Sequence, residues 1–172
     1  MTIQKPAAGD YAPYYQKYLD AAASVESATD LLNQQADVLA YMATWPEDKA
    51  GHRYAEGKWT VAQVIGHMSD TERVFSYRLL RIARGDATAL AGFDENAYQV
   101  HAGFDGRSVA SVVGELRAVR QASVALVRTL DETALNRAGT ASDNRVTARA
   151  LVWLMAGHFA HHTAILKERY GL

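Results

Sequence analysis

Four segments of this chain repeat apolar residues at intervals of three and four, and nothing between them alternates as a half-buried strand does. The first runs from Ser27 to Thr44, with Leu31, Leu32, Val38, Leu39 and Met42 on one side, and stops before Pro46. The second begins after Thr60, an N-cap that Gln63 completes as a capping box. Its stripe is Val61, Val64, Ile65, Met68, Phe75, Leu79 and Ile82, and Gly85 ends it. The third starts near Ser108 and carries the ladder Val109, Val112, Val113, Leu116, Val119, Val127 and Leu130, and the fourth spans about Val146 to Tyr170. Amphipathic helices of roughly 18 to 25 residues with no strand pattern predict an all-α fold, a four-helix bundle.

Two further segments need a place around such a bundle. Asp10 to Leu19 carries Tyr11, Tyr14, Tyr15, Tyr18 and Leu19. This aromatic patch is expected to dock as a short helix outside the bundle, so residues 1–24 form an N-terminal arm on a single domain of residues 1–172. The connection Gly85–Arg107 is longer than helical bundles usually allow. Its Phe93, Tyr98 and Phe104 predict an ordered crossover between helices two and three, laid across one end of the bundle.

With 172 residues and a net charge of −1, acids and bases intermixed, the chain lacks the basic footprint of a nucleic-acid binder. Its apolar runs are too short for a membrane span, and the opening Met-Thr-Ile-Gln-Lys-Pro has no apolar core for a secretory signal, so a cytoplasmic protein is expected. There is no cysteine, which excludes disulfides, thiolate metal sites and a cysteine nucleophile. Any metal must rest on imidazole, carboxylate and water.

Three of the six histidines, His158, His161 and His162, fall in the last helical segment. Residues four apart stack on one helix face. On a wheel of Leu151 to Arg169, His158 and His162 fall within the stripe of Leu151, Leu154, Met155 and Ile165. Two buried imidazoles are costly unless each ring nitrogen finds a partner, and one divalent ion partners both at about 2.0–2.1 Å. His161 lies off the midline of the pair, at its rim. Phe159 follows His158, so the HExxH signature of zinc proteases is absent. A third ligand must come from elsewhere. His52 and His101 fall in connections, whereas His67 lies on the flank of the second apolar stripe and is the expected third ligand. Asp70 and Glu72 lie near it, as groups to orient an imidazole or act on bound water.

The stretch Gly57-Lys-Trp-Thr-Val-Ala-Gln-Val-Ile-Gly-His-Met-Ser-Asp-Thr-Glu-Arg, with Trp59, Thr60 and His67 in order, resembles the DinB-like (DinB/YfiT-like) superfamily. The Asp10-Tyr-Ala-Pro-Tyr-Tyr segment, Gly-Phe-Asp-Glu-Asn-Ala-Tyr from Gly92, and Gly157-His-Phe-Ala-His-His are similar to the subgroup with a long crossover. The resemblance implies a four-helix bundle that binds a divalent metal, often nickel or zinc, through three histidines, here His67, His158 and His162. It also implies enzymes that use low-molecular-weight thiols, metal-dependent hydrolases, and frequent homodimers. Ala164 departs from the pattern, since several relatives carry glutamine there.

Three functions are therefore in view for a small-molecule substrate. A thiol-dependent S-transferase would use the metal to activate the thiol. A hydrolase would use it to activate water, with Asp70 or Asp94 moving protons. A non-catalytic metal-binding stress or interaction protein would use the histidines as a staple. A water-filled pocket beside the ion separates the first two from the third.

Overall fold

The computed structural model describes residues 2–172. A 3-10 turn (Pro13–Tyr15) leads into α1 (Gln16–Ala21), followed by α2 (Ala28–Met42), α3 (Val61–Ala83), α4 (Glu95–His101), α5 (Val109–Val127), α6 (Glu132–Leu135), β1 (Ala138–Ala141), β2 (Asn144–Thr147) and α7 (Ala148–Tyr170). The four long helices α2, α3, α5 and α7 form the bundle. The capping box forms as the sequence predicts: Gln63 N–H donates to Thr60 Oγ1 at 3.1 Å, and Thr60 N–H donates to Gln63 Oε1 at 2.9 Å. Gly85 adopts φ +83° and ends α3, while Asp86 N–H returns to the Arg81 carbonyl at 3.0 Å.

Cross-links between helices fix their directions. Gln63 meets Asp105, Glu72 meets Arg120 and Arg84 meets Thr129, so α3 and α5 run parallel. Glu47 accepts from Val109 N–H, and Gln35 accepts from Arg120 further along α5, so α2 runs against α5. Tyr170 donates to the Trp59 carbonyl at 2.7 Å and His67 meets His158, so α7 runs against α3. The order is up, down, down, up.

That order explains the crossover. After α3 the chain must return the full length of the helix, about 34 Å at 1.5 Å per residue, before α5 can start alongside it. The crossover therefore runs lengthwise along α3 instead of lying across one end. Leu90 pairs with the edge of β1, Gln99 Nε2 donates to the Gln63 carbonyl at 3.0 Å, and the Phe104 ring covers Gly66. A Cβ on Gly66 would sit 2.4 Å from that ring, so the close approach requires glycine.

A hairpin of β1 and β2 stands where the sequence shows no strand pattern. The strands pair antiparallel from Ala138↔Thr147 to Ala141↔Asn144, joined by Ser142 and Asp143 at φ +50° and +60°. Two positive-φ residues in a two-residue loop match the twist of the strands. Thr147 closes the hairpin and caps α7, accepting from Ala150 N–H at 3.1 Å.

Every residue of α7 from Ala148 to Phe159 is buried. A helix apolar on all sides needs cover on all sides. Here α1 and the N-terminal arm supply the cover that the other bundle helices leave open. Tyr18 and Leu19 are buried against α7, and Trp153 Nε1 donates to the Gln4 carbonyl at 2.8 Å. Each such large side chain removed from water contributes about 1.5–3 kcal/mol.

Candidate metal centre

His67 comes from α3, and His158 and His162 come from successive turns of α7. His67 and His158 are buried, and His162 is half-buried. The ring centroids of the three are 4.4 to 5.0 Å apart. Nε2 of His67 lies 3.1 Å from Nε2 of His158, and one nitrogen from each of the three rings falls within 4.8 Å of the others. Tyr18 from α1 sets its ring edge-on to His158 at 5.1 Å, Trp59 lies 5.0 Å from His67, and Phe75 lies 6.1 Å from His158. Thr71, one turn along α3, approaches His67 Nδ1 at 3.4 Å.

Burial holds these imidazoles neutral. The pKa of His67 falls to about 4, first through burial and then through the charge of Lys17. Burial pushes His158 and His162 well below the ordinary histidine range; His162, His67 and His161 add to the effect on His158, and His67 and His161 to that on His162. At pH 7 three neutral rings thus converge, each with a lone pair to offer. Tyr18 is pushed the other way, its hydroxyl held protonated by burial and by Tyr14.

The donor set fits a divalent ion. Two nitrogens on a tetrahedral ion at ~2.05 Å lie about 3.3 Å apart. The His67–His158 pair is already near that spacing at 3.1 Å, and the widest separation of 4.8 Å must close by roughly 1.5 Å. Among the described residues no other group of three histidines or carboxylates gathers in this way.

Two cavities of about 280 Å³ each reach the rings. One exposes His67 and His158 between Tyr18, Thr71, Phe75 and Glu95, with Ser142 and Asn144 of the hairpin in its wall. The other exposes His162 beside Tyr54, Lys58 and Trp59. The remaining histidines are not part of the converging trio. His161 is half-buried, its ring 5.1 Å from His162 and 5.4 Å from Tyr18, and His52 and His101 are exposed.

The two aspartates expected to move protons lie elsewhere. Asp94 caps α4, accepting from Asn96 N–H at 2.8 Å and Ala97 N–H at 3.2 Å. Asp70 is paired with Arg73 at 3.3 Å, in a cluster with Glu115 that faces α5. Burial raises its pKa against the pull of Arg73. Neither lines a cavity on the histidines, whereas Glu95, the neighbour of Asp94, does. Glu72 is also committed, to a buried pair with Arg120 at 2.7 Å. Sequence spacing passes over Tyr18, Thr71, Glu95, Ser142 and Asn144. Only Tyr18, in the aromatic patch, and Thr71, four residues after His67, left a trace there.

No curated protein sequence matches the chain. Its fold is similar to that of YfiT from Bacillus subtilis, described as a probable metal-dependent hydrolase with an unusual four-helix bundle topology. The TM-score is 0.65 at 20% identity, covering 97% of this chain and 93% of that one. The family model of the DinB superfamily matches residues 30–166, a span that holds all three converging histidines and most of the four bundle helices. The chain belongs to the DinB superfamily.

Proposed function

We propose that this protein is a divalent-metal-dependent enzyme acting on a small molecule, with His67, His158 and His162 holding the ion. One observation carries this reading: all three converging ligands are neutral imidazoles, with no carboxylate or thiolate among them. A divalent ion held by such a set would keep its full charge and lower the pKa of a bound water or thiol. The surrounding residues would act on the small molecule in the cleft. Trp59, Tyr18 and Phe75 pack round the rings and limit water. Tyr18, kept protonated, donates a hydrogen bond to an oxyanion in the cleft, and Glu95 is the carboxylate placed to take up a proton.

Transfer to a low-molecular-weight thiol is the first form of this reaction. It is supported by the two separate cavities, which give a thiol and an electrophile their own approaches to the histidines. Hydrolysis is the second. It is supported by Glu95 as a base in the cleft, and by what is said of the Bacillus subtilis protein. Nickel or zinc as the ion and a homodimeric assembly belong to the same proposal, drawn from the resemblance of the motifs. The test is turnover by the zinc- and nickel-loaded protein, with thiol–electrophile pairs and with a panel of esters and amides. Consumption of one class that requires the ion and vanishes in His158→Ala supports the proposal. Inertness of the loaded protein toward both classes leaves the non-catalytic staple.

A further inference from the structure

Three arginines are buried, and two of them have a carboxylate. Arg120 pairs with Glu72, and Arg149 pairs with Glu132. Arg78 is only 2% exposed and has none. Its Nη2 donates to the Ala91 carbonyl at 2.8 Å and to Ser142 Oγ at 2.9 Å, and the guanidinium carbon lies 5.8 Å from the Phe93 ring centre, while Nε and Nη1 make no hydrogen bond among the described residues. A buried cation without a counter-charge is costly, and a guanidinium with a free edge has the shape that binds a carboxylate.

Arg78 lines two spaces, an open groove of about 510 Å³ shared with Arg73, Tyr77 and Arg81, and a much smaller one on the side of the histidines. A narrow extension of about 10 Å³ lies between Arg78, Tyr15, Phe75 and Asn144. The last three also line the cleft over His67 and His158, so the small space adjoins that cleft. Its size admits a single oxygen atom. Ser142, which holds Arg78 from the hairpin tip, lines the same cleft. It does so from the first position of the two-residue turn, whose positive φ the hairpin requires.

We propose that Arg78, steadied by Ser142 and flanked by the Asn144 amide, is the subsite for a carboxylate on the small molecule that occupies the cleft. One carboxylate oxygen enters the extension against the guanidinium. The aromatic walls of Tyr15, Phe75 and Phe93 hold the body of the molecule, which directs its other end towards His67 and His158. The subsite deepens the proposed function, since it rests on the cleft being a small-molecule site. It does not require the ion.

Benzoate, its neutral isostere benzamide, and benzylamine serve as probes. Each is titrated by calorimetry into the full-length protein, with and without zinc. Benzoate is expected to bind about tenfold or more tightly than benzamide in both forms, a preference that charge-assisted hydrogen bonding supplies. Arg78→Met should abolish the preference and Arg78→Lys should keep part of it. Ser142→Ala, remote from the core, should weaken it if Arg78→Met fails to fold. Equal binding of benzoate and benzamide by the unaltered protein overturns the proposal. So does a preference seen only with zinc, which places the carboxylate on the ion. Tighter binding of benzylamine assigns the cleft to a cation through Glu95 and also overturns it. Loss of zinc binding with the benzoate preference intact would instead remove the metal proposal and leave this one standing.

Discussion

A Cβ on Gly157 would lie 2.1 Å from the carbonyl oxygen of Tyr18, so the backbone of α1 rests directly on the turn of α7 that carries His158. The N-terminal arm is thereby part of the site as well as a cover for the core. Gly157→Ala must push α1 away, and overpacking of this kind costs about 1–3 kcal/mol. Urea denaturation should show that loss, together with weaker metal binding as the Tyr18 ring leaves His158. Unchanged stability in this variant would mean that α1 does not seat here.

Acidification should destabilise the metal-free protein. His67 titrates at about 4 in the fold against 6.5 for the free side chain, because burial disfavours the charged ring. Above pH 6.5 neither state is protonated and its full contribution is present. As the pH falls from 6.5 towards 4 only the unfolded chain takes up the proton, so stability is lost. At ~1.36 kcal/mol per pH unit, that interval amounts to about 3 kcal/mol. His158 and His162 act in the same direction. Urea midpoints of the metal-free protein that stay level between about pH 7.5 and 5 would contradict this.

The buried network around Arg120 should behave as a unit. Arg120 donates to Glu72 and Gln35 and to the Met155 carbonyl, while Gln35 Nε2 donates to the Ala156 carbonyl at 2.8 Å. These links join all four bundle helices immediately before Gly157 and His158. Burial raises the pKa of Glu72 and Arg120 opposes it. Arg120→Met strands that carboxylate and should cost about 3–5 kcal/mol. The double variant Glu72→Leu/Arg120→Met should recover part of the loss. A double-mutant cycle with additive losses would show that the two residues do not depend on each other.

Asp94 and Glu95 should separate cleanly. Asp94→Ala removes the cap of α4, with a local loss of about 1 kcal/mol and little effect on turnover. Glu95→Gln should lower turnover and leave stability nearly unchanged, since its carboxylate lines the cleft. Kinetics on the two variants decide the assignment, and the reverse pattern would return the role to Asp94.

The bundle was legible because its signals are local. Thr60 and Gln63 announce the start of α3, and the apolar stripes give the faces. The i, i+4 pair His158 and His162 is visible on a wheel, and His67 follows from its flank position in the second stripe. What escaped depends on contacts distant in sequence. The parallel course of α3 and α5 is set by pairs such as Glu72–Arg120, so the lengthwise path of the crossover could not be read from its composition. The hairpin has only four residues per strand, Ala-Gly-Thr-Ala against Asn-Arg-Val-Thr, with no alternation and no glycine in its turn. Its contribution of Ser142 and Asn144 to the cleft was accordingly invisible. Charge alone does not separate Asp94 from Glu95 in the sequence. Only the cap geometry shows that Asp94 binds backbone and that its neighbour faces the cavity.

The central claim is that three neutral imidazoles share one ion. Calorimetric titration of zinc or nickel into protein purified without a histidine tag tests it most directly. One ion per chain is expected, with affinity falling by orders of magnitude in His67→Ala, His158→Ala and His162→Ala. His52→Ala should bind as the unaltered protein does, and His161→Ala should show a small or intermediate loss. Binding should also weaken on acidification, as protons compete for the ring nitrogens. An unaltered protein that takes up no ion, or binding that survives each of the three substitutions, would contradict the account.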